Sequence, residues 1–208
     1  MFDYDEAYSR PGLYWGATPN PLALWAVDAR GAGGGSAAGA DRLRAVDLGC
    51  GEGRDLMHFA RHGYAMTGVD LSDVGLAKAA AWAREEGLEV SLVRADLGTF
   101  RLNEKYDLLY SSGSLTYIPP EARAEAFANY REWASPGAVV AVNAFVAKPF
   151  LAVPPDWGAD EHFFRSGELL MHFADWEVLR FEETIFDCCS GGVPHRHAMD
   201  TLIARRVV

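Results

Sequence analysis

Cysteine is scarce in this chain: three residues in 208, Cys50 alone and Cys188 beside Cys189. That number and spacing exclude a regular disulfide framework and do not suggest a zinc site, so reduced thiols in a cytoplasm, with no metal, are expected. Long apolar runs are also missing. The stretch Ala138 to Val142 is strand-sized, far short of the ~20 residues a bilayer needs, and the acidic start from Met1 to Glu6 lacks a basic n-region. Neither export nor a membrane partner is therefore expected. Basic charge is short too, with 19 Lys and Arg against 29 Asp and Glu and a formal net charge of −10. No basic stripe exists beyond Arg205-Arg206, which disfavours nucleic acid and other polyanions as partners.

What is present is apolar material. Hydrophobic residues make up 50% of the chain and aromatics 12%, enough for one well-filled domain in the common range of about 50 to 250 residues. From Leu43 onward short apolar runs alternate with helical patterns, the sign of repeated βα units around a parallel sheet. Strands are expected at Arg44–Leu48, Ala65–Asp70, Val90–Ala95, Tyr106–Ser111 and Ala138–Phe145. Helices are expected at Arg54–His62, Asp73–Glu86 and Pro120–Ala134, the second capped by Ser72 and followed by Gly87. A short helix near Gly167–Phe173 precedes two strand-like runs, Trp176–Cys188 and His195–Arg206. Ser190, Gly191, Gly192 and Pro194 supply the turn that makes these runs an antiparallel hairpin.

The expected fold class is α/β, a single Rossmann-like seven-stranded domain over residues 41–208, mostly parallel with a C-terminal antiparallel hairpin. Residues 1–40 form an N-terminal helical lid segment. It holds Tyr14-Trp15-Gly16, then a helix from Asn20-Pro21 to about Ala29, then the Gly31–Ala40 tract. That tract has little to bury and should act as a flexible connector, tethering the front helix loosely.

The strongest local signal is Asp47-Leu48-Gly49-Cys50-Gly51-Glu52-Gly53-Arg54, where a strand ends and a helix begins. Glycines at these positions let the backbone turn tightly and approach a ligand, with Cys50 a small filler inside the turn. A dinucleotide fingerprint wants its third glycine where Arg54 stands, so a nicotinamide oxidoreductase fits less well. Asp70 closes the second strand 23 residues after Asp47, followed by Leu71, and its carboxylate suits a pair of ribose hydroxyls. Asp96 closes the third strand, where it suits an adenine amino group, with Leu97 covering the ring. Singly, such elements are turns and helix caps. In this order they describe one nucleoside pocket.

The ordered set resembles the motifs of class I S-adenosyl-L-methionine-dependent methyltransferases, and the resemblance supplies the cofactor. Leu48 to Arg54, the His62-Gly63-Tyr64 turn, the Tyr106-Asp107 strand start, Ser166 to Leu170, Trp176-Glu177 and Thr201 to Arg205 look like the tellurite-resistance TehB-type family, in order over Arg44 to Arg205. The chain departs from that family on the last hairpin, where His and Arg are placed beside the methyl group. Here the first strand reads Phe186-Asp187-Cys188-Cys189, and His195, Arg196 and His197 lie on the return strand. The loop from Lys148 to His162 and the front end also differ, so tellurite is not implied as acceptor.

With a sulfonium already activating the methyl group, the protein must align a nucleophile and exclude water. A neutral thiol, amine or hydroxyl would gain from a nearby His or Tyr. Ser111 to Tyr117 replaces the Asn/Asp-Pro-Pro-Tyr/Phe sequence of amino-methylating enzymes. Ser111 and Gly113 are expected at the methionine part of the cofactor, and Tyr117 either faces the acceptor or packs under the next helix. Tyr14 and Trp15 either cover the sulfonium or pack the front helix. His195 and His197, two apart on a strand, share a face and are the expected anion-binding or base pair, unless they lie on a solvated edge. His162 lies in the loop where an acceptor pocket would form. Cys188 and Cys189 are either inert thiols or contacts for a chalcogen. The expected activity is methyl transfer to a small, soft or anionic acceptor of thiol or chalcogen type, and the competing reading is a non-catalytic binding module. Oligomeric state is not legible.

Overall fold

A computed structural model of the chain describes residues 3–30, 42–154, 157–189 and 192–207. The Gly31–Ala40 tract, and Ser190 and Gly191 of the expected hairpin turn, lie outside the described residues. Seven strands, β1 (Arg44–Leu48), β2 (Ala65–Asp70), β3 (Val90–Arg94), β4 (Tyr106–Ser111), β5 (Ala134–Val146), β6 (Glu177–Cys188) and β7 (His195–Arg205), form one sheet in the order β3-β2-β1-β4-β5-β7-β6. The first five run parallel, while β7 is antiparallel to both β5 and β6. Strand order reverses between β1 and β4, and in open parallel sheets the crevice beyond the carboxyl ends at that switch point is where ligands bind.

The helices are α1 (Tyr4–Ser9), α2 (Pro21–Arg30), α3 (Arg54–Arg61), α4 (Asp73–Glu85), α5 (Pro120–Trp133) and α6 (Glu168–Met171). They cover the two faces of the sheet separately. Leu22 and Ala26 of α2, Leu56 and Phe59 of α3 and Ala79 of α4 pack with Tyr110 and Val139 on one face. Phe127 and Tyr130 of α5 and Leu169 of α6 pack with Leu109 and Leu202 on the other. Each large apolar side chain buried this way contributes about 1.5–3 kcal/mol. The edge strand β6 carries Glu177, Arg180, Glu182, Glu183 and Asp187, a charged rim that opposes edge-to-edge pairing.

Three features differ from the sequence expectation. First, α2 is not loosely tethered: Leu22, Ala23 and Ala26 are buried, Arg205 Nη2 donates to the Ala29 carbonyl at 2.8 Å, and the Arg180 guanidinium lies 3.5 Å over the Trp25 ring. It is a core helix, which confines any lid to the residues before it. Second, α1 was not expected, although Asp3 caps it by accepting from the Glu6 amide at 2.9 Å. Third, β5 starts at Ala134, four residues early. Gly137 at φ +74° and a register shift against β4 carry the ladder around Pro136, and Arg206 extends the pairing at this end.

Candidate functional site

The sheet's carboxyl edge opens into a cavity of about 720 Å³. Its floor is the glycine loop between β1 and α3. The Gly49 and Cys50 amides both donate to the Val69 carbonyl of β2, at 2.7 and 3.0 Å, and Gly49 itself sits at φ +85°. A Cβ on Gly49 would lie 2.2 Å from Ser114, so this glycine is demanded by conformation and by space. Asp70 ties the loop to β2: its Oδ2 accepts from the Gly51 amide at 2.7 Å and its Oδ1 from the Ser72 amide at 2.9 Å. Burial holds its carboxyl above the usual range against those two hydrogen bonds. Asp47, only 2% exposed yet part of the lining, is held well above the carboxylate range by burial and then by the neighbouring Asp55.

Asp96 at the end of β3 accepts from the Gly98 amide at 2.8 Å, and Leu97 beside it is buried. Asp47, Gly49, Cys50, Gly51, Arg54, Asp70, Leu71, Asp96 and Leu97 therefore all line one cavity, as do Tyr14 and Trp15. Arg54 is paired with Asp55 at 2.8 Å. Gly53 and Ser111, expected at the cofactor, are not among the lining residues. Gly53 begins α3 at φ +93°, close against Ala79 and Met57. Ser111 is fully buried and donates to the Leu48 carbonyl at 2.7 Å, which braces the glycine loop from beneath. The next residues, Ser112, Gly113 and Ser114, do reach the cavity.

The expected catalytic residues divide in the same way. His197, buried, and Tyr117 line the cavity, whereas His195 is absent from the lining and meets His197 with Nε2 to Nε2 at 2.9 Å. The Tyr117 hydroxyl lies 3.1 Å from the Tyr4 hydroxyl and donates to Glu161 at 3.3 Å. Burial and then the Tyr4 phenol push its own ionisation upward, so near neutrality it is a hydrogen-bonding hydroxyl and not a phenolate base. His162 also lines the cavity.

Other lining residues went unread in the sequence. Tyr4 and Tyr8 of α1 form the roof with Tyr14, ring centroids 5.4 Å and 6.3 Å apart in succession. Glu52, within the glycine motif, accepts from the Tyr14 amide and from Lys78 Nζ, both at 2.7 Å. Phe145, Trp157 and Phe186 gather around His197, with centroids 4.7, 5.5 and 5.5 Å from its ring. The spacing Asp3-x-x-Glu6 is a capping signature that could have found α1. Nothing local marks the aromatic group, because it converges through topology.

A mostly parallel sheet with this strand order, a glycine-floored cavity at its switch point and an acidic residue at each of three strand ends make a fold of the class I methyltransferase type. Residues 45–137 match the family described as Methyltransferase domain. In fold the chain resembles TehB of Haemophilus influenzae: its crystal structure superposes with a TM-score of 0.77 at 19% identity, covering 98% of this chain and 65% of that one. The curated sequence of TehB, a probable S-adenosyl-L-methionine-dependent methyltransferase, is 24% identical over 142 residues, 68% of this chain and 49% of TehB. Hemagglutinin 1 of Eikenella corrodens is 28% identical over 142 residues, 68% of this chain and 46% of the relative. Trans-aconitate 2-methyltransferase of Rhizobium leguminosarum bv. trifolii is 35% identical over 137 residues, 65% and 47% respectively. The chain thus spans about half the length of the curated relatives it matches.

Proposed function

We propose that the chain is an S-adenosyl-L-methionine-dependent methyltransferase acting on a small-molecule acceptor. The observation that carries this reading is the convergence of Asp47, Asp70 and Asp96, from three neighbouring strand ends, on one glycine-floored cavity. The cavity fits a cationic guest: its lining includes Asp47, Glu52, Asp55, Asp70, Asp96 and Glu161, and Arg54 is its one guanidinium among the described residues.

When bound, the cofactor supplies an electrophilic methyl group on a cationic sulfur. Asp70 accepts from ribose hydroxyls with the lone pairs its two amide partners leave, and those partners fix its direction. Asp96 and Leu97 hold the adenine edge and face, Asp47 and the Gly49–Gly51 backbone hold the amino-acid end, and Arg54 offers the guanidinium for a carboxylate. Tyr14 and Trp15, ring centroids 4.8 Å apart in an edge-to-face pair, close the cavity with Tyr4 and Tyr8 and exclude water. The acceptor enters at the opposite end, between Tyr117, Glu161 and the aromatic group around His197, with His197 placed to take a proton. A soft nucleophile of thiol or chalcogen type suits this end, in a cytoplasmic setting. No helix among the described residues is long and apolar enough to cross a membrane, and the acidic balance disfavours nucleic acid.

Calorimetric titration with S-adenosylhomocysteine tests the pocket, with saturable one-to-one binding expected. Incubation with S-adenosylmethionine and a panel of small thiols, halides, selenite and tellurite tests turnover through S-adenosylhomocysteine release. Binding without product from any acceptor would favour the non-catalytic module, and no binding would reject the pocket altogether.

A further inference from the structure

The sequence spacing of Cys188, His195 and His197 has no metal-site pattern, but the hairpin brings them together. Cys188 pairs with His195 and Phe186 with His197 across β6 and β7. Residues two apart on a strand share a face, so Cys188, His195 and His197 all project to the same side of the sheet, while Arg196 pairs with Asp187 on the other. The Cys188 Sγ and one ring nitrogen of each histidine lie within 4.8 Å of one another.

We propose that Cys188, His195 and His197 form a three-ligand site for a zinc-class divalent ion, with a fourth position open to the cavity. Metal bonds of about 2.0–2.1 Å to nitrogen and 2.3 Å to sulfur set ligand-to-ligand edges of roughly 3.3–3.6 Å at tetrahedral angles. The two Nε2 atoms, at 2.9 Å, are already near such an edge, and a rotation of Cys188, half-buried at the strand end, closes the triangle. His195 has the outer hydrogen bond that metal-ligating histidines use. Its Nδ1 lies 2.7 Å from the Val193 carbonyl; a carbonyl only accepts, so Nδ1 carries the hydrogen and Nε2 presents its lone pair. One thiolate with two imidazoles is a donor set that zinc favours, and three protein ligands leave the position that open sites keep for a guest. His197 and Cys188 both line the cavity, which directs that position toward the acceptor end. Its guest is an acceptor thiol bound as the thiolate, its proton lost to solvent, so that in the metal-bound chain His197 serves as ligand and not as base. This last step rests on the methyl-transfer reading; the metal site does not.

Cobalt(II) is the probe, added to the full chain purified through chelator. One equivalent should give a tetrahedral visible spectrum with a near-ultraviolet thiolate-to-cobalt band. Cys188→Ser should lose that band, Cys189→Ser should keep it, and His197→Ala should weaken binding at least tenfold, with circular dichroism confirming that each variant is folded. No band in the wild type, or a band that survives Cys188→Ser and vanishes in Cys189→Ser, overturns the site. Adding 2-mercaptoethanol to the cobalt form should then increase the charge-transfer intensity, and no increase overturns the open position. Calorimetry with S-adenosylhomocysteine on the metal-free chain is read separately, so failure of the metal site and failure of the cofactor pocket give different results.

Discussion

Glu52 joins the N-terminal segment to the cavity rim, and its removal gives the sharpest test of whether that segment closes the site. The side chain is only 3% exposed. Its Oε2 accepts from the Tyr14 amide, and its Oε1 accepts from Lys78 Nζ, which also donates to the carbonyls of Arg10 at 2.9 Å and Gly12 at 2.6 Å. One carboxylate in the glycine loop thus fixes the chain from Arg10 to Tyr14 directly and through Lys78. A hydrogen bond from an amide to a charged acceptor is worth about 1.5–3 kcal/mol. The Lys78 contact counts for less, about 0.5–1 kcal/mol, because the lysine side chain is 25% exposed and its charge is screened. Glu52→Ala should therefore ease local opening by roughly 2–4 kcal/mol, or about 30- to 1000-fold in the opening equilibrium.

Hydrogen exchange read by mass spectrometry measures this directly. In the ligand-free variant, amides in 3–16 should exchange faster by about that factor while α2, held by Leu22, Ala23 and Ala26, keeps wild-type rates. Glu52→Gln keeps an oxygen for the Tyr14 amide and should fall between. Unchanged exchange in 3–16 would refute the tether, and equal acceleration of α2 would show that the front end opens as one body. Should wild-type protection in 3–16 be identical with and without S-adenosylhomocysteine, closure is not coupled to binding.

The other expectations bear on the floor of the cavity. Asp70→Ala should weaken S-adenosylmethionine by about 1.5–3 kcal/mol in calorimetry and also lower the ligand-free melting temperature, since the Gly51 and Ser72 amides lose their acceptor; unchanged affinity removes the ribose role. Asp47 has its folded-state ionisation raised, so the native state holds more protons than the unfolded one, and its contribution to stability falls as pH climbs from the ordinary carboxylate range through the raised value. Asp47→Asn should then melt above wild type at pH 8, with the gap narrowing in acid, and thermal scans showing the opposite trend would contradict the assignment. Gly49→Ala combines an unfavourable φ of +85° with a Cβ 2.2 Å from Ser114, costing about 2–5 kcal/mol in a urea melt; Ser114→Gly in the same chain should recover only the steric part.

The parts of the fold that could be read in advance are those where a short apolar run ends on glycine or aspartate. The bounds of β1 and β2 follow such punctuation residue for residue, and those of β4 match where the apolar run gives way to Ser111-Ser112-Gly113. The α2 helix misled because its flexible-looking neighbour tract said nothing about which surface Leu22 and Ala26 would meet. Ser111 misled because proximity in sequence to a cavity residue does not fix direction: alternation along β4 turns its side chain to Leu48, while Ser112 faces out. Glu52 and Asp55 look like ordinary solvated positions until the fold brings Tyr14 and Asn20 to them, the Asn20 amide donating to Asp55 at 2.8 Å. The aromatic wall needed β5, β6, β7 and the 148–163 loop to be placed together, which no window of sequence contains.

The charge of the cavity limits what can share it. Its one guanidinium among the described residues, Arg54, is paired with Asp55, while Asp47, Asp70 and Asp96 line the same space. Such a lining attracts a cation and repels a free oxyanion from the cofactor end. At the acceptor end the walls turn to Phe145, Trp157 and Phe186, with Asp160 and Glu161 beside them among the described residues, the latter already accepting from Tyr117 and from the Gly158 amide. An anionic acceptor would enter this end with little positive charge to meet it, so the anionic part of the sequence expectation depends on the hairpin. A divalent ion on Cys188, His195 and His197 would supply that charge beside the aromatic group. Without it, the acceptor proposed for this end is a neutral, polarisable one.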